Sequence, residues 1–387
     1  MGLSPADISH DWVTGVFRAR VGGSAEVETF SLTELGDSQG VISRYERSTH
    51  EAIIGHRVLT IHGAVRGESR IERVVLKSKA PGSVIRRRLE EVYRKLDPRL
   101  ADLQLELSPS ILDECHLREP RIYELGHASL KAITPAIDRV WIDPSREIFV
   151  VAMELLADVR HAKTLDDLDV WLPADIACAL EGIARMHGEL LGTIDAKAPP
   201  PWLLPFERLN NAPLLAYEAA LLRYNAESFP DLFDAPRTRM LEQRVAAAPQ
   251  RHREILNRPL TLAHGDFTPR NICLRPTQRL CAYDWELAQV HLPQRDVCEL
   301  LCYVLNPNRG WEHEATARLL DGYRAALGHA AGRVIAVDEF RHDLALAIGE
   351  FATFKLLVQG ITHKILGNRS YFERMVENAF ASMKAIT

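Results

Sequence analysis

Three oxygen-bearing side chains stand at informative intervals in LAHGDFTPRNICLRPTQRLCAYDWELAQ: Asp266, Asn271, and then Asp284 beyond a turn. Two short apolar segments of similar length separate Asn271 from Asp284, with residues 276–279 between them. A β-hairpin there would return Asp284 beside the loop that carries the other two. Hard carboxylate and amide oxygens suit a Mg2+ ion held against phosphate groups. A further carboxylate suits an attacking hydroxyl, which it orients and deprotonates. Together these residues could carry phosphoryl transfer from ATP, with Asp266 as the base and Asn271 and Asp284 as metal ligands. Any one of them alone would pass for a turn or strand-end residue; the convergence is what points to a site.

Other chemistries find less support. No HExxH occurs. His264 is expected to brace the catalytic loop by hydrogen bonding, and His187 to pack on a core helix. The six cysteines, Cys115, Cys178, Cys273, Cys281, Cys298 and Cys302, form no CxxC pair, which argues against zinc and against a disulfide framework. Cys298 and Cys302 share a helical face and are expected as small packing residues. A net charge of -5 without long acidic or basic runs lacks the footprint of a nucleic-acid binder. The first residues carry no secretory signal and no later segment is expected to span a bilayer, so a cytoplasmic protein without a membrane partner is expected. The oligomeric state is not legible.

The elements that must position these residues fall into two parts. Residues 5–18 read as an amphipathic helix, and residues 27–35, 41–47, 58–62 and 71–79 as strands of a mostly antiparallel sheet. Helical patterns follow over 84–95 and 117–125, then a hairpin turning at 143–146. Beyond Met153 the chain reads as helical, apart from the compact β segment 262–284. In LPADIACALEGIARMHGELL, Ile176, Leu180, Ile183, Met186, His187 and Leu190 share one stripe behind Pro173, which predicts a core helix. Gly36 and Gly40 lie between strand candidates with Ser43 shortly after. Their backbone N–H groups and the hydroxyl could approach a β-phosphate, although the same pattern makes an ordinary turn.

HGDFTPRN followed by YDWE resembles the HGDxxxxN and DxE signatures of the aminoglycoside phosphotransferase and choline kinase superfamily, relatives of the protein kinases. The resemblance covers most of the chain in order. It implies an α+β, bilobal, protein-kinase-like fold: an N-terminal antiparallel β-rich lobe over 1–153, including a hinge strand, and a larger helical lobe over 154–387. ATP would bind between them. Lys77 in VVLK matches the strand lysine that grips the α- and β-phosphates, with Lys79 on the same strand face as a competitor. Glu119 in REPRIYELG is nominated as its partner, with Glu90 and Glu91 as alternatives. Gly40 and Ser43 match the phosphate-covering loop. Met153 would stand near the adenine, and the backbone of Glu154, Leu155 and Leu156 could hydrogen-bond the purine. Asp296 matches an aspartate that steadies the catalytic loop.

The resemblance implies transfer of the γ-phosphoryl group of ATP, with Mg2+, to a hydroxyl of a small molecule such as an antibiotic, sugar or amino alcohol. Asp166, Asp167 and Asp169 could meet a cationic acceptor, but such a cluster also makes a solvated helix start. The insertion near residues 98–114 is similar to the ecdysteroid-kinase-like branch. A kinase-like nucleotide-binding regulator without turnover is the alternative, disfavoured because all three catalytic oxygens are present. A protein kinase is disfavoured by HGD and DWE in place of HRD and DFG.

Overall fold

The computed structural model describes residues 2–35, 53–107, 112–160, 170–196, 198–203, 212–306 and 314–386. It divides into two compact units, Met1–Leu89 with Ile111–Ala157, and Glu90–Ser110 with Asp158–Thr387. Gly40, Ser43, Asp166, Asp167, Asp169 and the strand expected over 41–47 lie outside the described residues.

In the first unit, runs rich in β-branched residues make β1 (Ala25–Glu34), β2 (Gly55–Val65), β3 (Glu68–Ser78), β4 (Ile137–Asp143) and β5 (Ile148–Glu154). They form one five-stranded sheet in the order β1-β2-β3-β5-β4, antiparallel throughout. Arg66 and Gly67, with φ of 51° and 82°, make the two-residue turn between β2 and β3. One sheet face presents Leu59, Ile61, Val74, Leu76, Val150 and Ala152 to Val13, Val16 and Phe17 of α1 (His10–Val21). Each buried Val, Leu, Ile or Phe side chain is worth about 1.5–3 kcal/mol relative to exposure. The other face carries Val75, Val151 and Met153. The helix expected over 5–18 is corrected to a single 3-10 turn, Pro5–Asp7, and then α1. The carboxylate of Asp7 accepts from the N–H and hydroxyl of Ser4, and Ser9 caps α1 by accepting from Trp12 N–H at 3.2 Å.

Helix α2 (Gly82–Leu96) spans the division between the units, and α3 (Pro98–Glu106) belongs to the second. Helices α4 (Cys115–Glu124) and α5 (Ala128–Ile133) belong to the first unit, where α4 packs on β4 and β5. In the second unit α6 (Pro173–Glu189) buries the stripe read from its sequence and packs on α11 (Glu314–Ala330). Helices α7 (Ala212–Ser228), α8 (Ala235–Ala246) and α9 (Ala248–Leu256) precede the β segment. That segment holds β6 (Thr261–Ala263), β7 (Ile272–Leu274), β8 (Leu280–Ala282) and β9 (Gln289–His291), paired β6 with β9 and β7 with β8. The chain ends in α10 (Gln294–Val304), α12 (Val337–Thr353), α13 (Lys355–Leu366) and α14 (Arg369–Ile386). An antiparallel sheet unit followed by a helical unit matches the α+β class implied by the resemblance. Five of the cysteines are buried, among them Cys298 and Cys302 on α10.

One expectation fails. Val337–Ile365 is long and apolar enough to cross a membrane by length and composition, contrary to the sequence reading. Yet 78% of its apolar window is buried within the protein, where α12 packs against α10 and α14. The apolar run is a core helix pair, broken at Phe354, whose φ of -118° and ψ of -71° separate α12 from α13.

Candidate active site

Alternation along β3 places Val75 and Lys77 on the sheet face away from α1, with Val75 opposite Met153 and Lys77 opposite Val151. Lys77 Nζ lies 2.5 Å from Glu119 Oε2, and the side chains are 3% and 1% exposed. The tyrosine one turn on in α4 donates from Tyr123 OH to Glu119 Oε1 at 2.9 Å. Close to the start of α4, Gly82 N–H donates to His116 Nδ1 at 3.0 Å and helps to seat the helix. The other glutamates are placed differently. Glu90 accepts from Arg94 at 2.9 Å in an exposed pair, and Glu91 is exposed. Lys79 lies just beyond the strand, also buried, with its N–H on Phe149 O at 3.0 Å. At the end of β5, Glu154 N–H donates to Ala136 O at 2.8 Å and its carboxylate accepts from Ala136 N–H at 3.0 Å. Leu155 follows directly and packs with Met153 and Val75.

In the second unit β6 feeds His264, Gly265 and Asp266. Gly265 has φ of +74°, and a Cβ there would meet Leu287 O at 2.2 Å, so only glycine fits the turn. Asp296, in the first turn of α10, accepts from His264 N–H at 2.6 Å, Gly265 N–H at 3.0 Å and His187 Nε2 at 3.1 Å. Burial would raise the Asp296 pKa. The hydrogen bonds from His187 and from the His264 backbone N–H outweigh it and hold the carboxyl at about 2. His187 also bonds Tyr323 OH at 2.7 Å, so the core histidine of α6 belongs to the loop's scaffold. His264 sits 3.0 Å from Tyr283 O through Nε2 and receives Asp266 N–H at 3.3 Å through Nδ1. Burial lowers its pKa, in keeping with a neutral ring that donates on one side and accepts on the other.

Asp266 is the centre of this loop. Its Oδ1 accepts from Lys355 Nζ at 2.8 Å, while Oδ2 accepts from Asn271 Nδ2 at 2.6 Å and from Arg270 at 3.4 Å. Burial would raise its pKa, but Lys355 and then Arg270 reverse this and hold it at about 2, so the group is a carboxylate. Asn271 Nδ2 also donates to Asp266 O at 3.0 Å, which turns the amide so that its oxygen points away from Asp266. Tyr283 N–H donates to Asn271 O at 3.0 Å, closing the β7–β8 hairpin, and Asp284 follows immediately. Asp284 is left-handed at φ 66° and ψ 56°, a conformation aspartate tolerates better than most residues. Its charge acts on Asp266.

The hairpin thus brings two hard oxygen donors, the Asn271 amide oxygen and the Asp284 carboxylate, to one end. Among the described residues no group of three His, Cys, Asp or Glu side chains is arranged to hold a metal. A pair of hard oxygens fits Mg2+, which is commonly held by one or two protein oxygens and completed by phosphate and water.

Lys355, Arg270 and Glu299 were not anticipated. Lys355 is 89 residues from Asp266 in sequence. The available signal was a pair of charges, Glu350 and Lys355, interrupting the apolar run AIGEFATFKLLVQGI.

Residues 157–337 match the model of the phosphotransferase enzyme family. The matched segment carries HGDFTPRN and YDWE, the motifs on which the sequence resemblance rests. No curated protein matches the chain in sequence. Among solved structures, the chain is similar to the choline kinase of Streptococcus pneumoniae, with 12% identity over 97% of this chain and 100% of that one and a TM-score of 0.45. It is also similar to an aminoglycoside phosphotransferase from Alicyclobacillus acidocaldarius, at 14% identity, 92% and 95% coverage and a TM-score of 0.47. A macrolide phosphotransferase from Brachybacterium faecium gives 16% identity, 97% and 98% coverage and a TM-score of 0.46.

Proposed function

We propose that the protein is an ATP- and Mg2+-dependent kinase that transfers the γ-phosphoryl group to a hydroxyl of a small molecule. The observation that carries the reading is the division of roles in the 266–284 segment. Asn271 spends its amide N–H on Asp266, so its oxygen is left to join Asp284 toward a cation. Asp266 is held ionised between Lys355 and Arg270, suited to accept a hydrogen bond from the acceptor hydroxyl and to aim it in line. Asn271 and Asp284 would hold Mg2+, which would supply positive charge against the phosphates. Lys77, held by Glu119, would bind the α- and β-phosphates, and the backbone beyond Glu154 would meet the purine. A buried lysine in an apolar strand is costly to keep charged, which favours a functional reading of that pair over a merely structural one.

The test is an ATP-consumption screen with Mg2+ against aminoglycosides, nucleoside antibiotics, sugars and amino alcohols, with Asp266→Asn as control. Acceptor-dependent consumption that Asp266→Asn abolishes is the expected result. Equal consumption by both proteins would overturn the reading.

A further inference from the structure

We propose that Lys355 is a positioning residue for Asp266, an inference that rests on the phosphotransferase reading above. The break at Phe354 makes Lys355 the first residue of α13. A cation there meets the positive end of the helix dipole, and the residue is buried as well, at 8% exposure. Both terms disfavour a lysine, so its place depends on the acceptors around it. Nζ donates to Asp266 Oδ1 at 2.8 Å and to Gly265 O at 3.2 Å, and Glu299 Oε1 lies 3.3 Å away. Of its three donors, two are engaged by Asp266 and Gly265, and Glu299 adds an ion pair.

The partners are themselves anchored. Arg295 reaches Glu299 Oε2 at 3.2 Å and Glu350 Oε2 at 2.7 Å, all buried. Lys355 therefore stands at the end of a chain of alternating charges that runs through α10 and α12. It grips both a backbone carbonyl of the catalytic loop and one oxygen of the catalytic carboxylate. With Oδ1 taken, rotation of the Asp266 carboxylate is blocked and Oδ2 is the oxygen left to face an acceptor. Asn271 fixes Oδ2 at 2.6 Å. Arg270 also touches it, at 3.4 Å, with a side chain 32% exposed. The Arg270 contact is the weakest of the set, and the acceptor hydroxyl takes its place. Lys355 is the permanent partner and Arg270 the exchangeable one.

A lysine that only filled a polar gap would affect folding and little else. The two roles separate in a mutant cycle on the full-length protein. Lys355→Met, Lys355→Arg and Lys355→Met with Glu299→Gln are made in the wild type and in Asp266→Asn. The readouts are melting temperature, MgATP affinity by calorimetry, and kcat and KM for the acceptor found in the screen, or ATP hydrolysis by water. Lys355→Met is expected to lower kcat about 10–100-fold, as misplacement of a reacting group does, with MgATP affinity unchanged. Lys355→Arg should recover part of the loss, and in Asp266→Asn the lysine substitution should cost nothing more. The double variant removes one charge of each sign, so it keeps the charge balance where Lys355→Met alone fails to fold. It should fold without regaining kcat. Wild-type kcat in Lys355→Met or in the double variant, or a further loss in Asp266→Asn, would overturn the proposal. If Asp266→Asn itself keeps full turnover, the phosphotransferase reading falls first and this proposal falls with it. If Asp266→Asn is inactive while Lys355→Met keeps wild-type kcat, only this proposal falls.

Discussion

The two units each bury a lysine against a carboxylate, and they do so in different ways. Lys77 stands on a strand of the first unit, 2.5 Å from Glu119, which also receives Tyr123 OH at 2.9 Å. Lys355 stands at the start of a helix of the second unit, 2.8 Å from Asp266, whose other oxygen is shared by Asn271 and Arg270. The first pair is built across a sheet and one helix. The second joins a loop, two further helices and a train of ions ending in Glu350. The difference teaches that a buried ion pair can serve to hold a cation for a ligand or to hold an anion for a reaction. Which end is anchored tells the two apart. Glu119, 1% exposed, is the anchored partner of Lys77; Lys355 and Asn271 anchor Asp266.

The comparison breaks most sharply at Asp266. Asp266→Asn is expected to lower turnover by about 10²-fold or more while MgATP still binds, since the lost group orients the hydroxyl and the metal ligands remain. Measuring kcat and MgATP affinity together checks this, and near-normal turnover would remove Asp266 from the base role. Asp284→Asn should come next, with a loss of about 10-fold or more at ordinary Mg2+. Because its defect is a missing charge against a cation, raising Mg2+ or supplying Mn2+ should recover part of the rate. Asp266→Asn should show no such recovery. Were the rescuable variant the Asp266 one, base and ligand would have to be exchanged.

At the other pair, Lys77→Met should raise the KM for ATP about 10-fold, and Lys79→Met should change it far less. The reverse ranking would move the phosphate-binding role to Lys79. The smallest effect concerns the scaffold. Asp296 has its pKa lowered from 3.8 to about 2, so it adds stability above pH 4 that is lost as the pH falls toward 2. Asp296→Asn should therefore be less stable by about 2 kcal/mol near neutral pH, with the gap closing in acid. Thermal melts across that window check it, and a gap that widened in acid would show that the carboxylate is not what stabilises the loop.

Local pattern made much of this legible. The alternation in ERVVLK marks both the strand and the odd lysine at its end, and the spacing of Asp266, Asn271 and Asp284 implies the hairpin that joins them. The extent of α1 was less legible, because a side-chain bond between Ser4 and Asp7 and a cap at Ser9 split one amphipathic pattern into two elements. Glu119 was one of three glutamates left open, since helical pattern says which residues share a face but not which face meets β3.

What the sequence determined by itself was one hairpin: its covalent length is short enough that strand geometry alone returns Asp284 beside the loop of Asp266 and Asn271. What only the tertiary structure decided was the company Asp266 keeps. Lys355 reaches it across 89 residues, and Glu299 and Glu350 come from two other helices. Those contacts exist because α12 packs against α10 and breaks from α13 at Phe354. Side-chain packing in a helical core depends on the whole set of facing shapes and charges, and no local spacing encodes it.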